Sequence, residues 1–273
     1  MPRPAHTVNE GGGRPRAVMH EPVVVREDPG ALVEAAAAWF VRGAAAAVAE
    51  RGRCNVAVSG GATPTPLYAL LATPQWRERV SWPDLHLFWV DERCVPPDDA
   101  RSNYGVVRRV LLPHVPIPPG NVHPVPTGAR TPEEAAARYE EAIHRSVGGA
   151  ALPAFDLVLL GLGDDGHTAS LFPHSALLRV EDRLVAADSV RRAGTFRITM
   201  TGPLLNAARQ AAFLVSGASK ACVLREVLAG DRDPDRLPAQ LLRPSNGSLQ
   251  WFVDREAAAQ LAHHRDVRDE KAR

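Results

Sequence analysis

The segment Phe155-Asp-Leu-Val-Leu-Leu160 is almost entirely apolar and stops at Gly161-Leu-Gly-Asp-Asp-Gly-His-Thr-Ala-Ser170. A short apolar run ending at glycines reads as a strand buried on both faces, and such strands belong to parallel sheets covered by helices. Similar runs recur at 54–59 (CNVAVS), 85–90 (LHLFWV), 211–216 (AAFLVS) and 249–253, with weaker strand signals at 184–187 and 196–201. Helical signals lie between them: an alanine-rich stretch over 29–50, a helix through Ala72, and a helix over 103–112 that Ser102 can cap. A helix over 131–146 has Glu133 and Glu134 in its first turn, and shorter ones cover 203–209 and 220–228, with Asp254 capping the last. Alternating strand and helix predict a three-layer α/β/α fold around a doubly wound, mainly parallel, Rossmann-like sheet. One domain is expected over 22–262, with a flexible extension over 1–21 and a charged tail over 263–273.

Ligands of open α/β sheets bind at the carboxyl ends of the strands, and four such ends carry unusual chemistry. Ser59-Gly-Gly-Ala-Thr-Pro64 follows the 54–59 strand, and glycines before a proline-led helix offer free N–H groups to an anion. Asp91-Glu-Arg93 ends the third, and Asp164, Asp165 and His167 follow the run at 155–160. Ser216-Gly-Ala-Ser-Lys220 ends the fourth. Lysine occurs only at 220 and 271, every other basic residue being arginine, and Lys220 stands where a positive charge opposes the helix dipole. An isolated histidine at a strand end is more often a surface residue than a catalytic one. Convergence of all four ends on one crevice is what raises His167 above that base case.

Gly161, Gly163 and Gly166 also match the dinucleotide fingerprint G-x-G-x-x-G. Two aspartates beside a pyrophosphate would repel it, and Pro173 cuts off the helix that the fingerprint needs. The lysine of a nucleotide-triphosphate loop is missing from SGGATP.

A formal charge of +1, from 32 basic and 31 acidic residues spread along the chain, leaves no footprint for nucleic acid or an anionic membrane. Three distant cysteines, Cys54, Cys94 and Cys222, suit a reducing cytoplasm rather than a disulfide framework. No apolar run approaches the roughly 20 residues of a bilayer span, and the first 21 residues have no hydrophobic signal core. A cytoplasmic monomer without membrane or nucleic-acid partners is expected.

The segments VSGGATP (58–64), VDERCVP (90–96) with SNY (102–104), GLGDDGHTASLFP (161–173), RITMTGPLLNAAR (197–209) and SGASK (216–220) occur in one order that resembles the 6-phosphogluconolactonases of the glucosamine-6-phosphate isomerase/deaminase-like superfamily. The resemblance runs from about Pro22 to Leu261. It implies hydrolysis of 6-phospho-D-glucono-1,5-lactone to 6-phosphogluconate, without a metal or organic cofactor. It implies His167 as the catalytic histidine and Asp165 as its acidic partner. Phosphate binding falls on Ser59, Gly60, Gly61, Ala62, Thr63, Arg93 and Lys220, and Asp91 and Asn103 complete the candidate set. Asp164 lies at a variable position and stays outside it.

The chemistry agrees with that reading. A lactone is an activated ester, so a base for water and donors for the oxyanion suffice, and an unperturbed imidazole titrates at about 6.5. Either Asp165 or Asp91 can orient the ring or hold sugar hydroxyls. Ser170 lacks a nucleophile-elbow pattern, and nothing requires Cys94 to form a covalent intermediate. The rival enzyme is an amino-sugar-phosphate isomerase or deaminase with its base on Asp91. The rival outside catalysis is a sugar-phosphate sensor, which has no need of His167.

Overall fold

The computed structural model describes residues 22–148, 152–188, 190 and 194–261, so the expected extension over 1–21 and tail over 263–273 lie outside the described residues. Among the described residues seven strands form the central sheet: β1 (Val23–Arg26), β2 (Cys54–Val58), β3 (Leu85–Trp89), β5 (Val122–His123), β6 (Leu157–Gly161), β9 (Gln210–Val215) and β10 (Ser248–Asp254). Their order is β1-β10-β9-β6-β2-β3-β5 and every pairing is parallel. β2 is buried along its whole length and β6 is buried over Leu157–Leu160, which is why neither shows polar alternation.

The helices are α1 (Pro29–Arg51), α2 (Thr65–Leu71), α3 (Pro74–Arg77), α4 (Asn103–Val110), α5 (Pro132–Val147), α6 (Gly202–Asn206) and α7 (Ala221–Ala229). Side-chain caps set three of their starts. Asp28 accepts from the Ala31 amide (2.9 Å), Ser102 from Gly105 (2.9 Å) and Thr131 from Glu134 (3.1 Å). The expected cap of a last helix is instead a hub: Asp254 accepts from the Ala257 amide (2.8 Å), the Gly217 amide and the Ser216 hydroxyl, and among the described residues a 3-10 turn, Ala257–Gln260, follows it.

α1 corrects one sequence expectation, because by length and composition it is apolar enough to cross a membrane. Half of the qualifying window is buried, with Leu32, Val33, Ala36, Ala37, Phe40, Ala44 and Ala47 inside the core, as befits a helix laid on a sheet.

Three strands stand apart from the parallel sheet. β4 (Asp91–Arg93), β8 (Arg197–Met200) and β7 (Val185–Ala187) pair antiparallel in the order β4-β8-β7. Asp91-Glu-Arg93 is therefore the edge of a second small sheet rather than a plain strand-end loop, and Arg93 lies opposite Arg197.

Candidate active site

From β2 the chain runs outward to β3 and β5, then returns to β6 on the other side of β2 and continues to β9 and β10. Strand order therefore reverses between β2 and β6, and at such a point the loops after the two strands diverge and leave a crevice. The Ser59–Thr63 loop leaves β2 and the Leu162–Ser170 loop leaves β6, so these two segments form its walls.

A cavity of about 430 Å³ opens there. Ser59, Gly60, Gly61, Ala62, Thr63, Asp91, Arg93, Asn103, His167 and Lys220 all line it, so ten of the eleven sequence-predicted residues meet in one place. The eleventh, Asp165, reaches it through His167: its Oδ1 lies 2.5 Å from the ring Nδ1 and also accepts from the His167 amide at 3.1 Å. The geometry thus gives the histidine's carboxylate partner as Asp165. Burial pushes the Asp165 carboxyl up, but the bonds from the His167 ring and amide outweigh it and hold the group below its ordinary range. The imidazole is packed against Phe172, with ring centroids 4.4 Å apart. Gly163 makes that position possible, since a Cβ there would stand 2.0 Å from His167 Nδ1.

Asp91 is buried and fixed at both oxygens, accepting from Ser170 Oγ (2.6 Å) and Asn103 Nδ2 (3.2 Å). Asn103 in turn crowds the β2 loop: a Cβ on Gly60 would fall 1.9 Å from its Oδ1, so only glycine lets the loop and α4 meet. Beneath them lies Glu92, fully buried. Its oxygens accept from the amides of Arg93 (2.8 Å), Asn103 (2.8 Å) and Tyr104 (2.7 Å) and from Ser102 Oγ (3.1 Å). Burial raises the Glu92 pKa, and the three backbone bonds oppose that rise. One carboxylate therefore ties β4 to the start of α4.

Three features depart from the sequence reading. The Ser59 hydroxyl donates to Leu159 O (2.8 Å), which leaves the loop's amides rather than this side chain for a ligand. Lys220 Nζ lies 2.6 Å from Asp164 Oδ1, so the aspartate left outside the site holds its ammonium. Arg197 also lines the cavity, its guanidinium over the Phe172 ring at 5.5 Å. Arg197 stands in RITMTG, but only the pairing of β4 with β8 brings it beside Arg93, and that pairing spans about a hundred residues. Arg93 itself donates through Nη1 to Arg101 O (2.5 Å), while its buried Nε has no partner.

A larger cavity, about 730 Å³, lies alongside between α1 and α2 and shares Ala62, Thr63 and Ser216. Its other walls are mainly apolar, and it contains neither the histidine pair nor the cations.

Residues 27–251 match the family model of the glucosamine-6-phosphate isomerases/6-phosphogluconolactonase. The chain belongs to this family. It is 45% identical over 232 residues to the 6-phosphogluconolactonase of a Synechocystis species, covering 84% of this chain and 94% of that one. The solved structure of 6-phosphogluconolactonase from Trypanosoma cruzi superimposes with a TM-score of 0.77 at 31% identity, covering 89% of this chain and 97% of that one. A monomeric glucosamine-6-phosphate deaminase aligns over 88% of this chain and 99% of its own with a TM-score of 0.74, but at 21% identity it shares the fold alone. Both branches of the family therefore use this three-layer scaffold, and the choice between them rests on the residues in the crevice.

Proposed function

We propose that the chain hydrolyses 6-phospho-D-glucono-1,5-lactone to 6-phospho-D-gluconate, in the oxidative branch of the pentose phosphate pathway. One observation carries this reading: an imidazole backed by a carboxylate faces the same cavity as a glycine loop and two cationic side chains. His167 takes a proton from water through Nε2 while Asp165 holds Nδ1. The water oxygen bonds to the lactone C1, and the C1 oxygen becomes an oxyanion within reach of polar donors in the cavity. When the tetrahedral species collapses, the C1–ring-oxygen bond breaks and the imidazolium returns its proton to that oxygen, restoring neutral His167. No covalent enzyme intermediate is needed.

The amides of Gly60, Gly61, Ala62 and Thr63, with Arg93 and Lys220, hold the phosphate, which displaces Asp164 from Lys220. Asp91 and Asn103 accept and donate to the sugar hydroxyls. No cofactor enters this scheme. The chemistry is carried by one domain over 22–262 acting as a cytoplasmic monomer, with no nucleic-acid or membrane partner.

Asp91 also supports a second reading, as the base of an amino-sugar-phosphate isomerase or deaminase, because it is buried at the same cavity. Incubation with the freshly made lactone and, separately, with glucosamine 6-phosphate tests the two. Lactone hydrolysis well above its spontaneous rate, with no ammonia released from the amino sugar, supports the lactonase. Ammonia release without lactone turnover overturns it.

A further inference from the structure

We propose that the opposite, N-terminal edge of the sheet carries a second oxyanion site, sized for phosphate and formed by Arg51, Arg53, Asn55 and Arg209. β9, β6 and β2 are neighbours, so the residues just before them are brought together: Arg209 before β9, Asp156 before β6, and Arg51 and Arg53 before β2. They line a cavity of about 180 Å³, together with Asn55 and parts of Val147 and Ala154.

Asp156 is buried and engaged at both oxygens. Its Oδ1 lies 2.9 Å from Arg51 Nε and 3.3 Å from Arg209 Nε, and its Oδ2 accepts from the Asn55 amide at 2.7 Å. Exposed Glu50 takes Arg51 Nη1 at 2.5 Å. Among the described residues, Arg53 has a neutral hydrogen-bond partner alone, donating through Nη2 to Val147 O at 2.9 Å. Among the described residues three guanidiniums thus face two carboxylates, which leaves one positive charge over at the cavity.

Asn55 adds a carboxamide to the same wall. It is 5% exposed, and its buried Oδ1 has no hydrogen-bond partner. No donor among the described residues therefore holds the carboxamide in this orientation. Its carboxamide forms part of the cavity wall, and χ2 of asparagine turns easily, so it can donate an N–H to an anion held by Arg53. Guanidinium forks and an amide donor around a small cavity recognise a tetrahedral oxyanion, either free phosphate or the phosphoryl group of a small metabolite.

Titration calorimetry with inorganic phosphate tests the site, with arsenate-soaked crystals to place the ion by anomalous scattering. Wild-type protein should bind two phosphate ions per chain, and arsenate should appear within hydrogen-bonding reach of Arg53. Arg53→Gln should bind one, with kcat/KM for the lactone within about twofold of wild type as proof of folding. Asn55→Ala should weaken this same site about tenfold, the size expected for losing a hydrogen bond to a charged group. Glycerol 3-phosphate binding within about threefold of phosphate marks phosphoryl groups as ligands; its exclusion marks free phosphate. A single wild-type site that Lys220→Ala abolishes, or two sites surviving in Arg53→Gln, overturns the proposal. Two sites in Lys220→Ala but one in Arg53→Gln would instead refute the active-site assignment of Lys220 and leave this one standing.

Discussion

The proposed function assigns chemistry to His167 and binding to Lys220, and substitutions should separate the two. His167→Ala removes a general base, so kcat should fall about 100-fold or more while competitive inhibition by 6-phosphogluconate changes little. A rate within about threefold of wild type, after subtracting spontaneous hydrolysis, would exclude it as the base. Lys220→Ala removes a charge-assisted contact to a dianion, about 1.5 to 3 kcal/mol, so KM should rise roughly tenfold to a hundredfold with a smaller change in kcat. Asp164→Asn bears on the same ammonium. The carboxylate is exposed and its pairing correspondingly weak, so freeing Lys220 should lower KM by no more than about fivefold. A KM raised as in Lys220→Ala would mean that Asp164 places the lysine productively instead of competing with the phosphate. That Asp164 touches Lys220 was not legible in the sequence, since the two stand 56 residues apart. The bond from Ser170 to Asp91 and the place of Arg197 were hidden for the same reason.

The central strands and the loops after them were legible because each is written locally: an apolar run, then glycines or charge. β4, β8 and β7 were not legible as a sheet. Strands of three or four residues with Asp91, Glu92, Arg93 and Arg197 among them carry no apolar period, and their pairing is fixed by contacts far along the chain. β5 is two residues inside a proline-rich connector, and β1 lies beside the expected extension, so both edges of the main sheet also escaped the sequence reading. The β3–β5 edge carries a pH prediction. His86 Nδ1 and His123 Nε2 are 3.1 Å apart, and His123 is stacked on Phe88. Burial, followed by the charge of Arg53, lowers the His86 pKa; burial, followed by the charge of His86, lowers that of His123 to about 4. Folding therefore favours the neutral rings, so their contribution is present above the unfolded value of about 6.5 and is lost as pH falls from there toward 4. His123 is partly exposed at the sheet edge, which limits the effect to about 1 kcal/mol after solvent screening. Thermal midpoints from pH 7 to 4 should fall less steeply in His123→Phe than in wild type; equal slopes would remove the pair from the acid limb.

At the scale of the whole molecule, the family's scaffold brings the Ser59–Thr63 loop after β2, His167 after β6 and Lys220 after β9 to one cavity beside the reversal of strand order. On the proposed function, phosphate binding at this convergence is what positions the lactone carbonyl at His167. Remote binding energy of that kind lowers the barrier only when the whole substrate is present. The direct measurement is kcat/KM for 6-phosphogluconolactone against unphosphorylated glucono-1,5-lactone on wild-type protein, each corrected for spontaneous hydrolysis. The ratio should be at least about a thousand, or roughly 4 kcal/mol, and should shrink markedly in Lys220→Ala, which weakens only the phosphorylated substrate. Comparable values for the two lactones on wild-type protein would contradict this role of the phosphate, because the SGGAT loop, Arg93 and Lys220 would then be holding nothing that matters to the reaction.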